Sequence, residues 1–175
     1  VDLYRWLFDD SFPDSLSGEQ DLEERQKEIS LLRRQAVRHI LDTDGTKGLV
    51  KLGIASKYPG LLASAAVDEL QSAELIFQFL FEAMEIEKDA KFLACMISGE
   101  AQRIHQTGWS EYLLSEAKFR AWSPTTIGHL ISRWQDNRET WNIASSLGPD
   151  TEAIYWRHKL LFILEGSEED KEYQL

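Results

Sequence analysis

The chain has 175 residues, 43% hydrophobic and 28% charged, which is typical of a folded protein and unlike a disordered one. A formal net charge of −11 repels phosphate backbones, so we expect no nucleic-acid partner. A single cysteine excludes an intramolecular disulfide. We expect neither a secretory leader nor a membrane span, because the sequence shows no charged-then-apolar start and no apolar run of about 18 residues. These features predict a cytoplasmic protein.

The first half of the sequence predicts a succession of amphipathic helices. Residues 3–8 form a short apolar helix that ends before Pro13. Residues 21–42 form a long helix, since its apolar residues recur at three-, four- and seven-residue steps, and Gly45 follows its end. Shorter helices are expected over residues 49–56 and, after Pro59, to residue 70. Residues 73–86 are so apolar that we expect a central helix.

The second half continues the pattern with clear helix boundaries. Helices are predicted over residues 88–106 and 109–119, with a break at Thr107 and Gly108. Ser123 followed by Pro124 predicts an N-cap and first helical residue for a helix reaching residue 134. Asn137 caps the next helix, which runs to residue 147. Gly148 ends it, and the last helix leads into an acidic tail from residue 165.

No stretch shows the sustained two-residue alternation of strands, so the sequence predicts an all-α fold. Helices of about 10–20 residues separated by short turns favour antiparallel helix hairpins stacked as a short α-solenoid. A globular helical bundle is the alternative. We expect residues 1–164 to form one domain and residues 165–175 to form a flexible tail. Because the chain begins with Val1, we also expect a fragment or a processed product.

Residues that could carry chemistry do not form a recognisable motif. The four histidines are scattered, and none has a partner at the helical spacing of a metal site, so we expect neither metal nor cofactor. Neither a phosphate-binding loop nor a nucleophile elbow is present, and the chain is predicted not to be an enzyme. Cys95 lies in an apolar run and is expected to be buried. Arg33, Arg34 and Arg38 favour pairing at a helix end over an anion-binding patch.

The densest functional signal is aromatic and lies in the last two predicted helices. Trp, Tyr and Arg are the residue types most often found at binding hot spots of protein interfaces. We therefore identify five candidate partner-binding residues, of which Trp141, Tyr155 and Trp156 are the main anchors: Trp134, Trp141, Tyr155, Trp156 and Arg157. The competing interpretation is a helical hairpin packed internally through the same rings.

Two segments resemble the helical-repeat regions of large bacterial multidomain proteins, including STAND-type defence proteins. The first is the hairpin with Glu139-Thr140-Trp141, Leu147-Gly148-Pro149 and Tyr155-Trp156. The second contains Arg34-Gln35-Ala36-Val37, Gly45-Thr46-Lys47-Gly48-Leu49 and Tyr58-Pro59-Gly60-Leu61. The resemblance covers about two-thirds of the chain. It implies a HEAT/TPR-like sensor or scaffold array that binds another protein.

Three functions remain open from the sequence. The leading hypothesis is a protein-interaction module that docks a partner protein on an aromatic and acidic helix face. The first alternative is an acidic, immunity-type inhibitor that covers a basic partner, since acidic residues are concentrated near both ends. The second is an all-helical enzyme whose acid–base groups come from distant positions, which would require a deep pocket with buried titratable groups.

Overall fold

The computed structural model describes residues 2–9, 22–86 and 90–165, and these residues contain eight helices and no strand. The predicted all-α class is therefore confirmed. The helices are α1 (Asp2–Asp9), α2 (Leu22–Ala55), α3 (Pro59–Leu70), α4 (Ala73–Ile86), α5 (Lys91–Phe119), α6 (Pro124–Ile131), α7 (Arg138–Ser146) and α8 (Pro149–Glu165). Residues 166–175, which make up nearly all of the predicted acidic tail, lie outside the described residues.

Both long helices contain a break. In α2 the break is at Gly45, whose φ of 64° and ψ of −163° lie outside the helical region, as the sequence predicts. In α5 the break is at Gln106, with a φ of 47°, one residue before the predicted Thr107 and Gly108. The Ser110 hydroxyl donates a hydrogen bond to the Gln106 carbonyl at 3.3 Å. This bond joins the side chain of Ser110 to the backbone at the break.

The predicted caps of α6 and α7 are both confirmed. Ser123 Oγ accepts a hydrogen bond from the Thr126 amide at 3.2 Å, and Pro124 is the first residue of α6. Asn137 Oδ1 accepts one from the Thr140 amide at 2.9 Å. Helix α6 ends at Ile131 rather than at the predicted residue 134. These side-chain acceptors satisfy amides that have no partner inside the helix, and so fix where each helix begins.

One hydrophobic cluster extends from α1 to α8. Its largest fully buried side chains include Trp109, Trp134 and Tyr155. Helix α2 packs on α3, α4 packs on α5, and α6 packs on α8. In addition, α3 contacts α5, α2 contacts α4, and α5 contacts α6. Ala144 of α7 and Tyr155 of α8 belong to the same core.

The basic cluster in α2 is used to hold neighbouring elements. Arg33 Nε donates a hydrogen bond to the Leu7 carbonyl at 2.8 Å, and Arg38 Nε donates one to Glu69 Oε1 at 2.7 Å. Arg33 thereby fastens α1, and Arg38 joins α2 to α3. The expected pairing at a helix end is not what these two residues show: α2 continues to Ala55, and the partners of Arg33 and Arg38 belong to α1 and α3.

Candidate interaction surface

The candidate surface is built by α7 and α8 against α6. The connection between α7 and α8 turns at Gly148, whose φ of 98° is one that residues with a side chain rarely adopt. Helix α6 approaches α8 closely at Gly128, where an added Cβ would lie 2.8 Å from Ile154 Cβ and 2.9 Å from the Thr151 carbonyl oxygen. Gly148 allows the turn between α7 and α8, and Gly128 allows α8 to lie close to α6. The resulting rotation of α8 determines which of its aromatic rings reach the surface.

Trp141 is the exposed member of the aromatic group. Its side chain is 40% exposed, yet its indole Nε1 donates a hydrogen bond to Asp136 Oδ1 at 2.8 Å. Its ring centroid lies 5.9 Å from that of the partly buried Trp156. A hydrogen bond on one side and a ring contact on the other hold the indole in one orientation. We call Asp136, Trp141 and Trp156 the Trp141 surface.

Two of the five predicted partner-binding residues are buried. Trp134 is 1% exposed, and its Nε1 donates a hydrogen bond to Ser98 Oγ at 2.9 Å. Tyr155 is 0% exposed, and its ring makes an edge contact with Trp156 at a centroid distance of 5.0 Å. A partner cannot reach either ring in this conformation. The interpretation as an internally packed hairpin therefore holds for Trp134 and Tyr155, whereas Trp141 remains exposed.

The buried end of the group is electrostatically unusual. The Tyr155 hydroxyl lies in the interior, close to the Trp141 side chain. Burial, followed by the charge of Asp136, raises the pKa of Tyr155 above its usual value. Lys159 Nζ donates a hydrogen bond to the Trp134 carbonyl at 2.7 Å, and burial lowers the pKa of Lys159. Arg157 is exposed on α8, next to Trp156 in sequence.

An open groove of about 410 Å³ lies on the other side of α7. Thr107 Oγ1 donates a hydrogen bond to Glu139 Oε1 at 3.2 Å and so bridges α5 to α7. The groove is lined by Thr107, Ser110, Glu111, Leu114, Glu139, Asn142, Ile143 and Ser146. The helical spacing of Glu139, Asn142, Ile143 and Ser146 places them on one face of α7, opposite Trp141. The groove and the Trp141 surface are therefore separate features.

The structure also brings together residues that the sequence leaves scattered. His129 on α6 and His158 on α8 make an edge contact with ring centroids 4.2 Å apart. Within the described residues, no group of three His, Cys, Asp or Glu side chains could hold a metal ion. Cys95, which was expected to be buried, is only partly buried, yet desolvation raises the pKa of its thiol to about 11, so it is protonated at neutral pH and a poor nucleophile. The His129–His158 pair could not be found by local spacing, because its members lie on different helices.

Comparison of the chain with protein-family models, curated proteins and solved structures finds no significant match. The resemblance to bacterial helical-repeat regions stays a prediction. In the part of the chain that the structure describes, no helix is both long and apolar enough to cross a bilayer.

Proposed function

We propose that the protein is an interaction module that binds another protein through the Trp141 surface. The observation that carries this proposal is an indole that is 40% exposed and nevertheless held by Asp136 and Trp156. Binding a mobile side chain costs conformational entropy, about 0.5–1.5 kcal/mol for each side chain immobilised. An indole already held in place avoids most of that cost and offers a large apolar area for a partner.

The surroundings of Trp141 suit a protein partner. Asp136, Arg138 and Arg157 are exposed polar residues on the same two helices or at their start. An aromatic anchor with charged residues near it resembles the apolar centre and polar rim of protein interfaces. We propose that Trp141 is the anchor, that Trp156 extends its apolar area, and that Arg157 belongs to the polar rim. Trp134 and Tyr155 support the surface from inside.

We further propose that the helices form a short α-solenoid that presents this surface near its C-terminal end. Support comes from the order of packing, in which the pair α2 and α3 contacts α4 and α5, and α5 contacts α6 of the last pair. Packing between neighbouring pairs is the defining arrangement of helical-repeat proteins. A globular bundle would instead bring the first and last pairs together around one centre.

The proposal is tested by comparative capture from native lysate with three baits: the unchanged chain, Trp141→Ala and Trp6→Ala. Trp6 is a matched control because it is also an exposed tryptophan, with 43% of its side chain exposed, but lies on α1. We expect one protein that the unchanged chain and Trp6→Ala retain and that Trp141→Ala loses. Circular dichroism must show that all three baits are folded. Equal capture by all three would refute the assignment of the Trp141 surface.

The same capture tests the acidic-inhibitor alternative. An inhibitor that covers a basic partner would bind through charge, and its association would weaken steeply as salt rises. An interface centred on Trp141 would retain most of its affinity, since apolar contacts are not screened.

A further inference from the structure

A second concave site lies away from the Trp141 surface, where α5 and α6 begin beside α4. It is a cleft of about 270 Å³. Ala94 and Leu130 are buried, and with Met84 they form its apolar part. The remaining lining residues are polar or titratable: Lys91, Cys95, Thr125, Thr126 and His129. Its volume lies just below the usual range for ligand sites, about 300–1,000 Å³, and suits a small molecule rather than a macromolecule.

The charges that line this cleft are opposite in sign to the protein as a whole. Lys91 is exposed and makes no ion pair with the described residues, and none of the described residues that line the cleft is acidic. Burial lowers the pKa of His129, and the nearby His158 and Lys91 lower it further. Lys91 therefore places a positive charge at this cleft, in a chain whose net charge is −11.

Backbone and hydroxyl groups add donors at the same place. Thr125 and Thr126 belong to the first turn of α6, where amides lack acceptors within the helix and the helix dipole favours an anion. Ser123 occupies the Thr126 amide, whereas the Thr125 hydroxyl makes no hydrogen bond with the described residues. Helix α5 begins at Lys91 without a side-chain cap. Two helix N-termini, a lysine and a histidine therefore border one cleft.

We propose that this cleft binds a small ligand with an oxyanion head group, a phosphate or a carboxylate, and an apolar portion. Lys91 pairs with the head group, the Thr125 hydroxyl donates a hydrogen bond to it, and His129 contributes positive charge when protonated. The apolar portion packs on Met84, Ala94 and Leu130. The protein would then have a small-molecule binding site in addition to the Trp141 surface. The proposal of this site does not depend on the proposed function of that surface.

The test follows the amide and histidine-ring signals by NMR during titration with inorganic phosphate and, separately, with butyrate, at constant ionic strength set by chloride. We expect saturable shifts at Thr125 and His129 with at least one probe, and the probe that saturates identifies the head group. The pKa of His129 should rise on binding, because a nearby anion favours the protonated ring. Lys91→Met should weaken binding about tenfold, as expected for loss of one charge-assisted contact.

Lys118→Met is the matched control, since Lys118 is an exposed lysine in the last turn of the same helix. Its affinity should equal that of the unchanged chain. If Lys91→Met proves unfolded by circular dichroism, Lys91→Gln replaces it in the same comparison. The proposal is overturned if neither probe gives saturable shifts, or if the Lys91 and Lys118 variants bind equally well.

Discussion

Substitution of Gly128 by alanine tests whether α6 and α8 pack as closely as the structure shows. An added Cβ would lie 2.8 Å from both Cβ and Cγ2 of Ile154 and 2.9 Å from the Thr151 carbonyl oxygen. Non-bonded carbon atoms prefer about 3.5–4.0 Å, so α8 must move away by about 1 Å. Overpacking of this kind costs about 1–3 kcal/mol, while alanine gains up to about 1 kcal/mol over glycine in a helix. The expected net loss of stability is therefore about 0–2 kcal/mol, which places Gly128→Ala about 1–3 kcal/mol below a glycine-to-alanine change without a clash.

The assay is urea unfolding monitored by tryptophan fluorescence. The free energies of unfolding are compared between variants whose dependence on urea concentration has the same slope. Gly108→Ala is the control, because nothing lies within 4 Å of a Cβ built at Gly108. We expect Gly108→Ala to leave stability unchanged or to raise it by up to about 1 kcal/mol. A Gly128→Ala variant as stable as Gly108→Ala would refute the close approach of the two helices.

Three further predictions concern side chains of the core and of the cleft. Ser98→Ala leaves the buried indole N–H of Trp134 without its acceptor, so urea unfolding should show a loss of about 1–3 kcal/mol, whereas the exposed Ser146→Ala should cost far less. Burial lowers the pKa of His129 below 6.5, so as pH falls the His129 ring is protonated in the unfolded chain before it is protonated in the folded chain. The stability that neutral His129 contributes above about pH 6.5 is therefore lost as pH falls below it. Between about pH 7 and 5, the free energy of unfolding of His129→Gln should fall less than that of the unchanged chain. The same pH dependence in both would contradict this prediction. Burial raises the pKa of Cys95 from 9.0 to about 11, so iodoacetamide should label the folded chain at least about 100-fold more slowly than the urea-unfolded chain, and equal rates would show an exposed thiol.

Local chemistry explains why the helix boundaries could be predicted. Ser123 and Asn137 accept hydrogen bonds from amides three residues further on, so the residues involved are close in sequence. Gly45 and Gly148 adopt positive φ values that favour glycine. The break in α5 lies at Gln106, one residue before the predicted Thr107 and Gly108. Its position could not be predicted from the residue type, because glutamine adopts a positive φ only where the surrounding structure imposes it.

The division of the aromatic residues into core and surface could not be predicted in the same way. Tyr155 and Trp156 are adjacent, and their exposure depends on how α8 is rotated against α6, which is set at Gly128. Trp134 follows the end of α6, and its indole is buried where it donates a hydrogen bond to Ser98 on α5. Such contacts join residues far apart in sequence, and helical periodicity carries no information about them.

The most direct test of the central claim is the affinity of the captured partner, measured by calorimetry, for the unchanged chain, Trp141→Ala and Trp6→Ala. A hot-spot tryptophan contributes about 2 kcal/mol or more, so Trp141→Ala should weaken binding at least about 30-fold while Trp6→Ala binds normally. Binding by Trp141→Ala as tight as that of the unchanged chain would contradict the account.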